Sequence, residues 1–209
     1  MHQAKLNVAF ENIPSIFFDQ PAINIIDYGC GQAIGTMCYA KFLSQKGIAQ
    51  KIKKVTLIEP SEISLRRAAL QVSTLLPDAE IITVNKELED LSDGDIVCEE
   101  DTPTLHIMLS VFEKYAFDIG NYYMVISDNL KGYNQFVCVE PPSEGCWMIQ
   151  FESFFYEPEP VDQFDKVFQE YELNPDKHWT AHIKCFSIGE LNFAQKYHST
   201  KLAHFTPTN

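Results

Sequence analysis

The stretch "NIIDYGCGQAIG", residues 24–35, constrains this chain more than any other. It opens with a short apolar, β-rich run that ends in Asp27. Two glycines at alternate positions follow, and then the helix-like "IGTMCYAKFLSQKG", which Gly47 closes. A near-continuous apolar strand must be covered on both faces, as in parallel sheets whose crossovers are helices. A Gly at the far end is the usual stop for such a helix.

The same alternation continues downstream. "KKVTLIEP" predicts a second strand. "SEISLRRAALQVSTLLP" predicts a helix capped by Ser61, with Leu65, Ala68, Ala69, Val72 and Leu76 on one face. "AEIITV" and "TLHIMLSVF" predict strands three and four, separated by an acidic loop with a short helix. Asp118 is placed to cap "IGNYYMVISDNLKG", whose Ile119, Tyr122, Tyr123, Ile126 and Leu130 share a face before Gly132. "NQFVCVEPP" predicts strand five and "AHIKCFSIG" strand six. Right-handed crossovers turn this order into an α/β, doubly wound, mainly parallel sheet with three α/β/α layers. A seventh strand is not evident. The aromatic, acidic run from Glu144 to Asp176 predicts one or two helices broken by Pro158 and Pro160. No linker interrupts the pattern. One domain over 1–209 is expected: an N-terminal segment 1–22, a core 23–140, and a substrate- or partner-facing part 141–209.

Charge and cysteine content narrow the function. The net charge is −13, with only Arg66 and Arg67 as arginines, and the acid is concentrated in residues 84–101 and 152–176. Such a chain repels phosphates on average, so a nucleic-acid partner is disfavoured. The basic strip from Lys46 to Lys54 reads as a solvated helix end and loop. Cys30, Cys38, Cys98, Cys138, Cys146 and Cys185 form no CxxC pair. A metal reading would use His178, His182 and Cys185, but that H-x3-H spacing suits a helix and falls on strand-like sequence, so no metal is expected. With no secretory signal or membrane span in evidence, reduced thiols and a cytoplasmic setting are expected.

In open parallel sheets the ligand site lies outside the carboxyl ends of the strands, where the strand order reverses. Gly29 and Gly31 let the first turn bend sharply there. Glu59 ends the second strand and can accept both hydroxyls of a ribose. Together they make a nucleoside-cofactor arrangement. A P-loop needs GK[ST], which is absent, and a dinucleotide turn needs G-x-G-x-x-G, where this chain has Ile34 at the third position and Gly35 one residue late. An acid beside the turn, Asp27, suits a cationic ligand better than a pyrophosphate.

On these residues the chain resembles the class I S-adenosylmethionine-dependent methyltransferases. "NIIDYGCGQAIG" resembles their first motif and "VTLIEPS" their second; the likeness covers roughly residues 20–140. It implies a Rossmann-like methyltransferase fold with S-adenosylmethionine as cofactor. Gly29, Cys30 and Gly31 would line the methionine part, and Asp27 would help bind its ammonium. Glu59 would hold the ribose, Pro60 would touch the adenine, and Asn85 would lie near the adenine edge. Ser110 would face the methyl group or substrate. Two departures from the family pattern stand out: the third small position is Ala33 rather than Gly, and no Asp directly follows the third strand.

Each residue also has a plainer reading. Asp27 can cap the next helix, Glu59 can be an exposed loop acid, Asn85 and Ser110 can be turn residues, and Cys30 a packing thiol. His106, Glu113, Tyr115 and Glu140 can touch a substrate or serve the fold. "WMIQFESFFYEPEP" can be a lid, a partner surface or a packed helix. The resemblance leaves the methyl acceptor and the catalytic residues unassigned; the acidity of the chain favours a small-molecule or protein acceptor over a nucleic acid. A non-catalytic protein of the same fold, acting as an interaction module, is the alternative, and a nicotinamide enzyme a more distant one. The short N-terminal segment is expected of a truncated or a minimal version of such a protein, with a fairly open cofactor site.

Overall fold

The computed structural model describes residues 2–112, 119–141, 150, 151, 153, 155, 166–171 and 178–189. Among the described residues, seven strands form one sheet: β1 (Ala22–Tyr28), β2 (Lys51–Ile58), β3 (Glu80–Val84), β4 (Thr104–Leu109), β5 (Asn134–Glu140), β6 (Lys166–Tyr171) and β7 (His178–Ile188). Their order is β3-β2-β1-β4-β5-β7-β6. Strands β1 to β5 run parallel, whereas β7 is antiparallel to both β5 and β6. The order reverses between β1 and β4, which puts the switch point at the end of β1.

Helices cover both faces. On one face α1 (His2–Glu11), α3 (Ile34–Lys46) and α4 (Glu62–Leu75) close over Ile25, Leu57, Leu105, Ile107, Val137 and Ile183. On the other, α5 (Ile119–Asn129) brings Tyr122 and Ile126 onto Ile26, Tyr28, Met108 and Phe136, with Phe151 packed among them. This double cover explains why β1 is buried at every position after its first. The short α2 (Ser15–Phe18) leads into β1. Buried Gln50 ties this entry to the core by accepting from the Tyr39 hydroxyl at 2.6 Å and donating to the Phe17 carbonyl at 2.6 Å.

The local signals act as their chemistry requires. Ser61 Oγ accepts the Ser64 amide at 3.4 Å, and Leu65, Ala68 and Val72 of α4 are buried. Beyond α3, the Ile48 amide returns to the Leu43 carbonyl and the Gly47 amide to the Ser44 carbonyl, a Schellman end. Tyr122 and Ile126 of α5 are buried as the periodicity predicts, while Asp118 lies outside the described residues.

One expectation is corrected. A seventh strand exists: Lys166–Tyr171 pairs with β7 where the sequence predicts helix. Val167, Phe168 and Tyr171 recur with helical spacing, and pairing with β7 overrides that local pattern. Pro158 and Pro160 lie outside the described residues. The N-terminal segment carries a helix that joins a face layer. α1 buries Leu6, Ala9 and Phe10, and Phe10 meets Tyr39 edge-on at 5.1 Å.

Gly35, in the first turn of α3, faces the sheet. A Cβ there would lie 2.7 Å from Ile107 Cγ2 and 3.1 Å from Asp27 Oδ2. Gly35→Ala is therefore expected to lose about 1–3 kcal/mol from overpacking, despite the better helix propensity of Ala. Urea unfolding checks this, and an unchanged or raised midpoint would contradict it.

Candidate cofactor site

The chain leaves β1 through a turn in which Gly29, Gly31 and Ala33 all take left-handed φ, at +56°, +54° and +59°. Such alternation curls successive amides toward a concave surface. Gly is free to adopt this geometry, whereas Ala33 does so at some cost while buried at the start of α3. Beside Gly31 there is open space, for a Cβ placed there would meet nothing within 4 Å.

β2 supplies the neighbouring wall. Tyr28 pairs with Ile58, so the Gly turn and Glu59 leave the sheet side by side. The Cys30 amide donates to the Ile58 carbonyl at 2.9 Å. Glu59 Oε2 accepts the Gly31 amide at 3.0 Å and Oε1 accepts the Ser61 amide at 3.0 Å. Half-buried Glu59 thus spans the first turn of the site and the start of α4. Asn85, after β3, donates from Nδ2 to the carbonyls of Glu59 and Pro60 at 2.9 and 2.8 Å. Glu59, Pro60 and Asn85 form one corner, and the side-chain oxygen of Asn85 is not engaged by those two bonds.

Asp27 lies beneath this surface. It is 1% exposed, and its Oδ2 accepts both the amide and the hydroxyl of Thr36, at 2.9 and 2.8 Å. Burial pushes its carboxyl up to about 7, against the opposing pull of the Thr36 hydrogen bonds. This is the helix-anchoring geometry of the plainer reading. The repulsion expected of Asp27 toward a pyrophosphate passes to Glu59, which occupies the Gly31 amide that a phosphate would use. Cys30 is buried, and burial together with the Asp27 and Glu59 charges pushes its thiol well above its ordinary value. Its side chain packs and its amide pins the turn.

On the other side of the switch point Ser110 follows β4. It is exposed, in the left-handed region at φ +56°, with its amide on the Val139 carbonyl at 2.9 Å. The structure therefore brings Gly29, Cys30, Gly31, Glu59, Pro60 and Asn85 together at one edge, puts Ser110 on the opposite edge, and sets Asp27 below. Sequence reasoning missed Thr36 and the packing role of Gly35. A Thr one residue after a helical Gly carries no signal of a buried acid beneath it.

His106 does not reach the site. It is fully buried, stacked on Phe136 at 4.2 Å. Asn134 Nδ2 donates to the carbonyls of Lys131 and Gly132, so its Oδ1 faces His106 Nε2 at 3.0 Å. Nε2 then carries the proton, and Nδ1 accepts from the Tyr28 hydroxyl at 2.9 Å. Burial pushes the imidazole down to about 4. Glu113 and Tyr115 lie outside the described residues. His178 and His182 are four residues apart on β7, about 13 Å along an extended strand, so the helical metal spacing does not apply.

A groove of about 490 Å³ lies at the opposite end of the sheet, lined by Leu43, Ile48, Ile52, Leu75, Leu76 and Pro77 among others. It is remote from the Gly turn and from the carboxyl ends where open α/β sheets hold ligands.

No family model matches the sequence, and no curated protein matches it. Solved structures do. A candidate methyltransferase from Pseudomonas syringae matches with a TM-score of 0.52 at 10% identity, over 90% of this chain and 98% of that one. An S-adenosylmethionine-dependent O-methyltransferase from Thermotoga maritima matches with a TM-score of 0.50 at 14% identity, over 90% of this chain and 66% of that one. This is a class I methyltransferase-like fold. The plantazolicin methyltransferase BpumL, in complex with SAH, also matches, with a TM-score of 0.44 at 16% identity over 67% of this chain. The chain spans about half of that protein, 47% of its length.

Two buried groups, Asp27 and His106, predict opposite pH slopes. Between about pH 4 and 7 folded Asp27 keeps a proton that the unfolded chain has released, so its contribution to stability falls as pH rises. The contribution of His106 is fully present above pH 6.5 and is lost as pH falls toward 4, because only the unfolded chain takes up the proton. Asp27→Asn is expected to gain on the unsubstituted protein by about 1 kcal/mol per unit from pH 4 to 7, and His106→Gln to lose by a similar amount up to pH 6.5. Urea unfolding across this range checks both, and pH-independent differences would contradict them.

Proposed function

We propose that this protein is an S-adenosylmethionine-dependent methyltransferase whose cofactor lies on the Gly29–Gly31 turn against Glu59. One observation carries the reading: at the switch point, an open left-handed glycine turn is tied by its amide to the acid that ends the adjacent strand. Glu59 gives one lone pair of each oxygen to a backbone amide and keeps another for a ribose hydroxyl. The corner set by Asn85 offers Pro60 to the adenine. The open space beside Gly31 admits the methionine chain. Asp27 positions the turn through α3 and stands below a cationic amine. Bound S-adenosylmethionine supplies a methyl group on a sulfonium, with a neutral thioether as leaving group.

The chain's own task is then alignment. The acceptor must be held about 3–3.5 Å from the methyl carbon, and a base is needed only where the acceptor must lose a proton. Ser110 faces that acceptor from the end of β4. A small molecule or a protein suits a surface of net charge −13 better than a nucleic acid. No helix among the described residues is long and apolar enough to cross a membrane. Among the described residues, the thiols of Cys30, Cys38 and Cys98 are free, which suits a reducing, cytoplasmic setting.

Calorimetric titration with S-adenosylhomocysteine tests the reading. Micromolar binding is expected, weakened at least about tenfold in Glu59→Ala, equivalent to about 1.4 kcal/mol. Glu59→Gln, which keeps an acceptor for Gly31, should fall between the two. No binding at millimolar ligand would mean that the fold is kept without the cofactor.

A further inference from the structure

A second acid is built into the carboxyl end of the sheet. Glu140, the last residue of β5, is 1% exposed. Its Oε1 accepts the Val111 amide at 2.7 Å and the Phe112 amide at 3.3 Å. Both belong to the turn that opens at left-handed Ser110. A non-Gly residue in that conformation is strained, so the turn needs external restraint. Two hydrogen bonds to one buried carboxyl oxygen provide it.

The restrained turn reaches the Gly turn. A Cβ on Gly29 would lie 3.7 Å from Val111 Cγ2, so the Val111 side chain packs over Gly29. The opposite side of Glu140 is polar as well. His182 pairs with Glu140 across β5 and β7, and Lys184 pairs with Cys138. The Phe136 and Phe186 rings, paired in the same register, stack at 4.7 Å, so these alternate positions share one face. Glu140, His182 and Lys184 are all buried on that face.

We propose that Glu140 is a positioning residue for the methyl-donor site, holding Ser110 in place and Val111 against Gly29 so that the turn after β4 forms the wall opposite Glu59. This rests on the reading that the Gly turn binds S-adenosylmethionine. Glu140 need not touch the cofactor. It acts through Val111.

The test combines calorimetry with S-adenosylhomocysteine and amide exchange of Val111 followed by NMR. Glu140→Ala should free the Val111 amide and weaken binding about tenfold, on the scale of a displaced binding group. Glu140→Gln, which keeps an acceptor oxygen, should stay within about twofold of the unsubstituted protein on the same scale. Should Glu140→Ala not fold, Glu140→Asp keeps the acid opposite His182 but draws it back from Val111, and the same loss is expected. A folded variant that frees the Val111 amide yet binds the ligand as the unsubstituted protein does would overturn the proposal, as would a Val111 amide unmoved in every variant. Failure of the unsubstituted protein to bind at millimolar ligand overturns the cofactor reading itself, a separate result.

Discussion

The hydrogen bond from the Gly31 amide to Glu59 joins the two strands that define the ligand end of this molecule. β1 and β2 run parallel, in constant register from Asn24 and Lys54 to Tyr28 and Ile58, and then their chains part toward different helices. Without a tie, the divergence would leave a left-handed turn and a loop acid free to move independently. Glu59 closes the gap with one oxygen on each side, and Asn85 braces the carbonyl side of the same corner. The arrangement also selects the ligand. An amide already donated to a carboxylate is not offered to a phosphate, while the remaining lone pairs of that carboxylate suit hydroxyl groups.

Beneath the turn, chemistry and packing are coupled at Asp27. Its carboxyl anchors the first turn of α3 through Thr36, and Gly35 permits the close approach that the anchoring needs. The helix could not approach the sheet so closely with a larger residue at 35. The cost is a buried acid held near neutrality, offset in its pH dependence by buried His106. The two lie on opposite faces of the sheet and are satisfied by different partners.

Much of this was legible from the residues, and what was not has physical causes. The strand–turn–helix of residues 24–35, the Ser61 cap and the Gly47 stop are local signals that tertiary contacts did not override. Strand β6 was not legible, because Val167, Phe168 and Tyr171 carry helical spacing and only pairing with β7 makes them a strand. At the site, Gly29, Gly31 and Glu59 stood out because glycine turns and strand-end acids are rare enough to notice. The inward orientation of Asp27 was not visible, since both a helix anchor and a ligand-facing acid put the same residue at a strand end. For Glu140 the sequence leaves open a substrate contact or a structural role, because its partners Val111 and Phe112 offer only backbone amides, and backbone amides leave no mark in a sequence.

On the proposed function, the carboxyl-end corner, and not the apolar groove at the other end of the sheet, holds the cofactor. Amide chemical-shift mapping during titration with S-adenosylhomocysteine tests it most directly. Perturbations are expected to centre on Gly29 to Gly31, Glu59 to Ser61, Asn85 and Ser110. Perturbations centred on Leu43, Ile48 and Leu76, or none at saturating ligand, would contradict it.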